Sequence, residues 1–174
     1  MAGRLLVIHF GQLGDVVLGL PALDALRGRF PEAHITSLTG TPADQIVRLA
    51  GLCDECIGVD RVAMRDGPRV ATLRSIVRLV RDIRSRRFDM VVDLHPYYET
   101  GLLALTSGAR VRVGSRRENR TMPAAYTAHA PYDLDAHLID RYLAVAEAAG
   151  AAARLAAPRI APAAADLDVA ERLI

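Results

Sequence analysis

Asp15 is a carboxylate placed for chemistry. It closes the turn Gly11, Gln12, Leu13, Gly14, which interrupts an apolar run at residues 5–10 and opens onto a second apolar run of helical character. A run with almost no polar alternation predicts a strand buried on both faces of a parallel sheet, and the turn after such a strand lies at the carboxyl edge, where these sheets bind ligands. There a carboxylate can accept the proton of an attacking hydroxyl, or it can simply cap the helix that follows. Gly11 and Gly14 permit positive backbone torsions and close approach of a ligand to the main chain. Their spacing does not spell GxGxxG, so the turn is not read as a dinucleotide fingerprint.

Arginine is the second chemical theme. All 22 basic side chains are arginine, set against 20 Asp and Glu, for a net charge of +2. Arg61 and Arg65 follow the predicted third strand, and Arg110, Arg112, Arg116, Arg117 and Arg120 lie in or just after the fifth. Forked guanidinium donors suit carboxylate and phosphate groups, although most arginines are simply solvated. Nucleic acid is the poorer anion, because the charge is near balance and the basic residues are not interleaved with aromatics. His95 follows the predicted fourth strand and can reach a ligand at the same edge. His137 opens a helix and reads as a helix-end or interdomain residue. Cys53 and Cys56 are half a zinc site ahead of a strand, so neither metal nor thiol chemistry is assigned to them. No Walker loop or nucleophile elbow appears.

The elements that must position these groups alternate. Strands are predicted at residues 5–10, 34–38, 55–59, 90–94 and 111–113, and helices at 16–29, 44–50, 68–87, 100–107 and 137–149. Alternation of this kind implies an α/β fold, a doubly wound, mostly parallel sheet with right-handed crossovers. In the 68–87 helix Val70, Leu73, Ile76, Val77, Val80 and Ile83 recur at helical spacing, which predicts a face packed on the sheet. Residues 115–133 are polar and too irregular to be core, and such a loop is expected to be functional or disordered.

At 174 residues the chain suits one domain with a sizeable core. Its apolar runs are too short for a membrane span, and the start lacks the pattern of a signal peptide, so the expected compartment is the cytoplasm. After Gly150 the composition turns to Ala and Pro, and then DLDVAERLI begins a new amphipathic segment. The predicted division is a domain over residues 1–150, with a linker and the start of a second domain over 151–174.

Four blocks now carry a resemblance: LLVIHFGQLGDVVLGLPAL, FDMVVDLHPYYETGLLAL, ARVRVGSRRENRTMPAAYTAHAPY and HLIDRYLAVAEAAG. In this order the chain resembles the N-terminal half of an ADP-heptose:lipopolysaccharide heptosyltransferase of glycosyltransferase family 9, over roughly residues 4–150. The resemblance implies a Rossmann-like domain of the GT-B arrangement that binds the anionic lipopolysaccharide core acceptor. ADP-heptose, as donor substrate, is then held mainly by a C-terminal domain, with no metal or other cofactor. It implies Asp15 as catalytic base and Arg61, Arg65 and Arg120 as acceptor-binding residues, while Gly11, Gln12, Leu13, Gly14 and His95 are read as substrate-binding from their place at the same edge. His9 is a departure, since many members carry a basic residue there. The resemblance also implies peripheral contact with the inner membrane surface. The alternative is a non-catalytic Rossmann-like ligand-binding module that lacks a donor domain.

Overall fold

The computed structural model describes residues 3–116, 121–152, 160–162 and 164–172. Strand β1 (Arg4–His9) leads into helix α1 (Leu13–Arg29), β2 (His34–Gly40) into α2 (Asp44–Ala50), and β3 (Glu55–Val59) into α3 (Arg61–Asp66) and α4 (Arg69–Ser85). Then follow β4 (Met90–Asp93), α5 (Tyr98–Thr106), β5 (Val111–Ser115), a 3-10 turn (Pro123–Ala125), β6 (Ala128–Ala130), α6 (Leu138–Ala148) and α7 (Ala164–Glu171). The six strands form one sheet in the order β3-β2-β1-β4-β5-β6, and every pairing is parallel. This is the α/β Rossmann-like architecture that the strand and helix alternation predicts.

The bare strands lie where two-sided burial requires them. β1 and β4 are central, and Leu5, Leu6, Val7, Ile8, Val91 and Val92 are all buried. On one face Leu5, Val7, Ile35, Val92 and Val113 pack with Val16, Leu23 and Leu26 of α1 and Tyr142 and Val145 of α6. On the other, Leu6, Ile8, Leu38 and Val91 pack with Ile83 of α4, Leu103 and Ala104 of α5, and Tyr126. Strands run outward from β1 to β3, after which the chain crosses by way of α4 to β4 on the other side of β1. The order therefore reverses between β1 and β4, and the carboxyl ends of those two strands flank a topological switch point.

The structure refines several expectations. Residues 115–133 are not simply a polar loop: β6 pairs with β5 through Val113↔Ala128, and Thr121, Ala125, Tyr126 and Ala130 are buried. The Tyr126 ring lies over Gly114, where a Cβ would stand 2.7 Å from the ring. Arg61 and Arg65 follow β3 as expected and lie on the short helix α3, which Asp60 caps by accepting from the Ala63 N–H at 2.8 Å. α4 lies on the sheet by its C-terminal half alone: Ile83 is buried, whereas Val70 and Leu73 are 63% and 62% exposed. Gly11 and Gly14 do not use the positive φ open to them, which among the described residues occurs at Gly51, Gly108, Gly150 and Arg87.

Candidate active site

The switch-point cleft is built from the turn after β1 and the segment after β4. α1 begins at Leu13, one turn earlier than its apolar periodicity indicates, so Gln12 is the N-cap and Asp15 the third helical residue. Asp15 thus caps from inside the helix, its Oδ2 accepting the Gln12 N–H at 3.0 Å. Among the described residues its Oδ1 has no hydrogen-bond partner. One oxygen is fixed by the backbone and the other is left to accept a proton, an arrangement in which capping and general-base chemistry coexist.

Gly11 owes its place to crowding. A Cβ there would stand 2.5 Å from the Asp15 Cβ and 3.1 Å from His9 Nε2, so any side chain would displace the carboxylate. Gly14, in contrast, faces open space, and Gln12 and Leu13 are exposed on the rim of the turn, Leu13 by 51%. Residues 12–14 therefore form an open lip at the carboxyl edge, with Gly11 buried and Asp15 half-buried behind it.

His95 comes to the same place from β4. Its ring centroid lies 5.8 Å from that of His9, 4.8 Å from Tyr97 and 6.4 Å from Tyr142. Tyr142, supplied by α6, also stands edge-on to His9 at 4.8 Å, and burial together with the nearby Asp15 charge pushes its phenol above the ordinary range. Neither the Tyr142 hydroxyl nor His9 Nε2, both buried, has a hydrogen-bond partner among the described residues. His9 faces inward against Gly19, where a Cβ would stand 2.4 Å from its Cε1, and does not reach out as a basic residue would.

Of the arginines expected to bind an acceptor, one reaches this cleft. The Arg61 guanidinium donates to the carbonyl of Phe10, the residue just before the turn, and lies 5.6 Å from the Phe10 ring. Arg65 instead forms an exposed pair with Asp66 at 2.8 Å, and no hydrogen bond or ion pair links it to the turn. Arg120 and Arg117 lie outside the described residues. His137 is a helix-end residue, its Nδ1 accepting the Ile139 N–H at 3.3 Å at the start of α6. Among the described residues no group of three His, Cys, Asp or Glu side chains could hold a metal ion.

Beneath His95 lies a buried network centred on Asp93, a residue whose place in the sequence suggests a buried structural role, and on Tyr126, which sequence reasoning missed. Asp93 is fully buried; its Oδ2 accepts the Tyr126 hydroxyl at 2.6 Å and its Oδ1 the His95 N–H at 3.1 Å. Burial pushes its carboxyl up to about 6, against the hydrogen bonds from Thr100, Tyr126 and the His95 backbone. Tyr126 was hidden because it lies in the stretch that reads as an irregular loop; the signal was Gly114, a glycine in a strand that leaves room for a ring.

His9 and Asp93 respond to pH in opposite directions. Burial, then His95, pulls the His9 imidazole from 6.5 down to about 3. The unfolded chain therefore takes up a proton that the folded chain refuses, and stability falls as pH drops from about 6.5 towards 3. Asp93 keeps a proton that the unfolded chain releases, so its contribution is complete below about 3.8 and is lost as pH rises through about 6. Between roughly pH 4 and 6 the two nearly cancel, each being worth about 1.4 kcal/mol per pH unit. His9→Gln is expected to unmask Asp93, so that the melting temperature rises as pH is lowered across this window, where the parent chain is nearly flat. Thermal melts at a series of pH values check this, and parallel profiles for the two chains contradict it.

The resemblance read from the residues holds in three dimensions. A family 9 glycosyltransferase from Veillonella parvula superposes with a TM-score of 0.68 at 26% identity, over 86% of this chain and 42% of that one. The E. coli heptosyltransferase WaaC, solved with ADP-2-deoxy-2-fluoro heptose, gives a TM-score of 0.74 at 18% identity, over 91% and 52%. E. coli ADP-heptose lps heptosyltransferase II gives 0.73 at 20% identity, over 98% and 50%. The chain thus spans about half the length of the solved structures it matches. No family model and no curated protein sequence matches it.

Proposed function

We infer that the chain is the acceptor-binding half of an inverting glycosyltransferase, one that transfers heptose from ADP-heptose to the inner core of lipopolysaccharide. The observation that carries this reading is the Asp15 carboxylate, one oxygen fixed and the other without a hydrogen-bond partner among the described residues, at the switch point of a fold shared with family 9 enzymes. In an inverting transfer the acceptor hydroxyl attacks the anomeric carbon opposite the departing diphosphate. A carboxylate beside that hydroxyl accepts its proton as the new bond forms. Asp15 Oδ1 is the group for this step, held by the Gln12 N–H so that little reorientation is needed.

The rest of the cleft supplies binding. The lip of residues 12–14 lets a sugar approach the main chain above the buried Gly11, with the Gln12 amide and His95 as hydrogen-bonding partners. Arg61 meets an acid sugar or phosphate of the acceptor, and Arg65 and Arg120 are assigned to the same anionic acceptor. The nucleotide end of the donor, and the cations or helix-end amides that stabilise its leaving diphosphate, belong to a second domain. Residues 151–174 are read as the linker and the start of that domain.

Arg61→Ala, Arg65→Ala and Arg120→Ala in the complete enzyme test the acceptor assignment. Each is expected to raise the acceptor KM by roughly tenfold or more, as loss of a charge-assisted hydrogen bond of about 1.5 to 3 kcal/mol implies, while leaving donor KM unchanged. Steady-state kinetics with each substrate varied separately give the answer. Unchanged acceptor kinetics with a lowered melting temperature would make these arginines structural.

A further inference from the structure

The amino edge of the sheet, opposite the switch-point cleft, carries a cavity of its own. There the starts of β4 and β5 meet the ends of α1, α4, α5 and α6 around a space of about 900 Å³, a size that suits a small molecule. β1, six residues at about 3.3 Å each, holds this edge roughly 20 Å from the cleft. Four arginines line the cavity: Arg29, Arg84, Arg87 and Arg110.

Two of the four serve the fold. Helix C-termini present carbonyls that lack intrahelical partners. Arg29 Nε donates to the Gly150 carbonyl just after α6 at 2.9 Å, and Arg84 to the Thr106 carbonyl at the end of α5 at 3.2 Å. Arg87 and Arg110 do nothing comparable. Both are exposed, and neither guanidinium has a hydrogen bond or ion pair among the described residues. Asp89, the acid in the cavity wall, is already engaged, its Oδ2 accepting the N–H groups of Gly3 and Arg4 at 2.8 and 2.9 Å. Arg87 also has a φ of 52°, in the left-handed region that favours glycine after a helix end. An arginine in that conformation is strained relative to glycine, and its guanidinium does nothing for the end of α4.

We propose that this cavity binds a phosphate dianion, free or as the terminal group of a small monoester, between the guanidinium forks of Arg87 and Arg110. The two unpaired positive charges balance two negative ones, and forked donors match phosphate oxygens. A carboxylate or a phosphodiester, each singly charged, leaves one arginine unbalanced. Phe30, Met90 and Val111 in the walls offer apolar surface to the carbon body of an ester. The proposal goes beyond the transfer reading and does not depend on it, since no residue of the switch-point cleft takes part.

Calorimetric titration of the 174-residue chain at about 0.15 M salt tests this. The probes are inorganic phosphate, glucose 1-phosphate and dimethyl phosphate, a singly charged diester. Saturable one-site binding is expected for the dianions and none for dimethyl phosphate. Equal affinity for the two dianions assigns the site to the free ion, and tighter glucose 1-phosphate assigns it to an ester. Arg87→Gly suits the left-handed backbone, so it removes the charge and keeps the fold, and it is expected to weaken binding roughly tenfold or more. Arg110→Ala, at an exposed position, is expected to do the same with an unchanged melting temperature. Arg74→Ala, which removes an exposed charge elsewhere on α4, is expected to change nothing. No saturable binding of either dianion, equal binding of dimethyl phosphate, binding unaffected by Arg87→Gly and Arg110→Ala, or binding lost with Arg61→Ala in place of these would each overturn the proposal.

Discussion

Asp15→Asn is expected to lower turnover of the complete enzyme by about two to four orders of magnitude, the range that a positioned general base contributes. The substitution keeps the size of the side chain and leaves an amide oxygen to accept the Gln12 N–H, so the first turn of α1 keeps its cap. Melting temperature and acceptor KM should therefore change little while kcat falls. That split is informative because a carboxylate serving only as a cap would give the opposite result, a near-normal rate whatever the change in stability. The measurement is kcat for the two proteins at saturating donor and acceptor, with near-parental turnover in Asp15→Asn ending the assignment.

The second large effect concerns the chain by itself. The 174-residue chain is expected to fold but to show no transfer above the uncatalysed rate. Folding follows from the two apolar layers, one on each face of the parallel sheet, which together form a core of ordinary domain size. Silence follows from the proposed function, in which this chain supplies a base and an acceptor cleft and therefore only one side of the reaction. Without a second domain, neither alignment of the anomeric carbon nor stabilisation of the departing diphosphate is available. A cooperative thermal transition together with a blank transfer assay is the expected pair of results, and measurable turnover by this chain contradicts the division of labour.

How far the sequence reveals the molecule depends on the scale of the signal. β1 and β4 are legible because strands buried on both faces lose their polar alternation, and their carboxyl ends define the cleft. The position of the turn after β1, at the carboxyl edge beside the switch point, is legible on the same ground. β6 is not, because Ala128–Ala130 is three residues long and takes its conformation from pairing with β5, not from propensity. α3 had a readable start in Asp60, but its six residues carry too little periodicity to stand out. The apolar spacing of α4 identifies a helix correctly and misleads about its surroundings, since periodicity reports that a face is apolar and not what covers it. The cluster of His9, His95, Tyr97 and Tyr142 joins residues of β1, the segment after β4 and α6, and only the strand order brings them together.

The central claim is that this chain is the acceptor half, and calorimetric titration of the isolated chain tests it most directly. The two ligands are ADP-heptose and lipid A bearing its inner-core acid sugars, added separately. Saturable binding of the acceptor, weakened by Arg61→Ala, with no tight binding of ADP-heptose, is the expected result. Tight binding of ADP-heptose with no heat from the acceptor would contradict it.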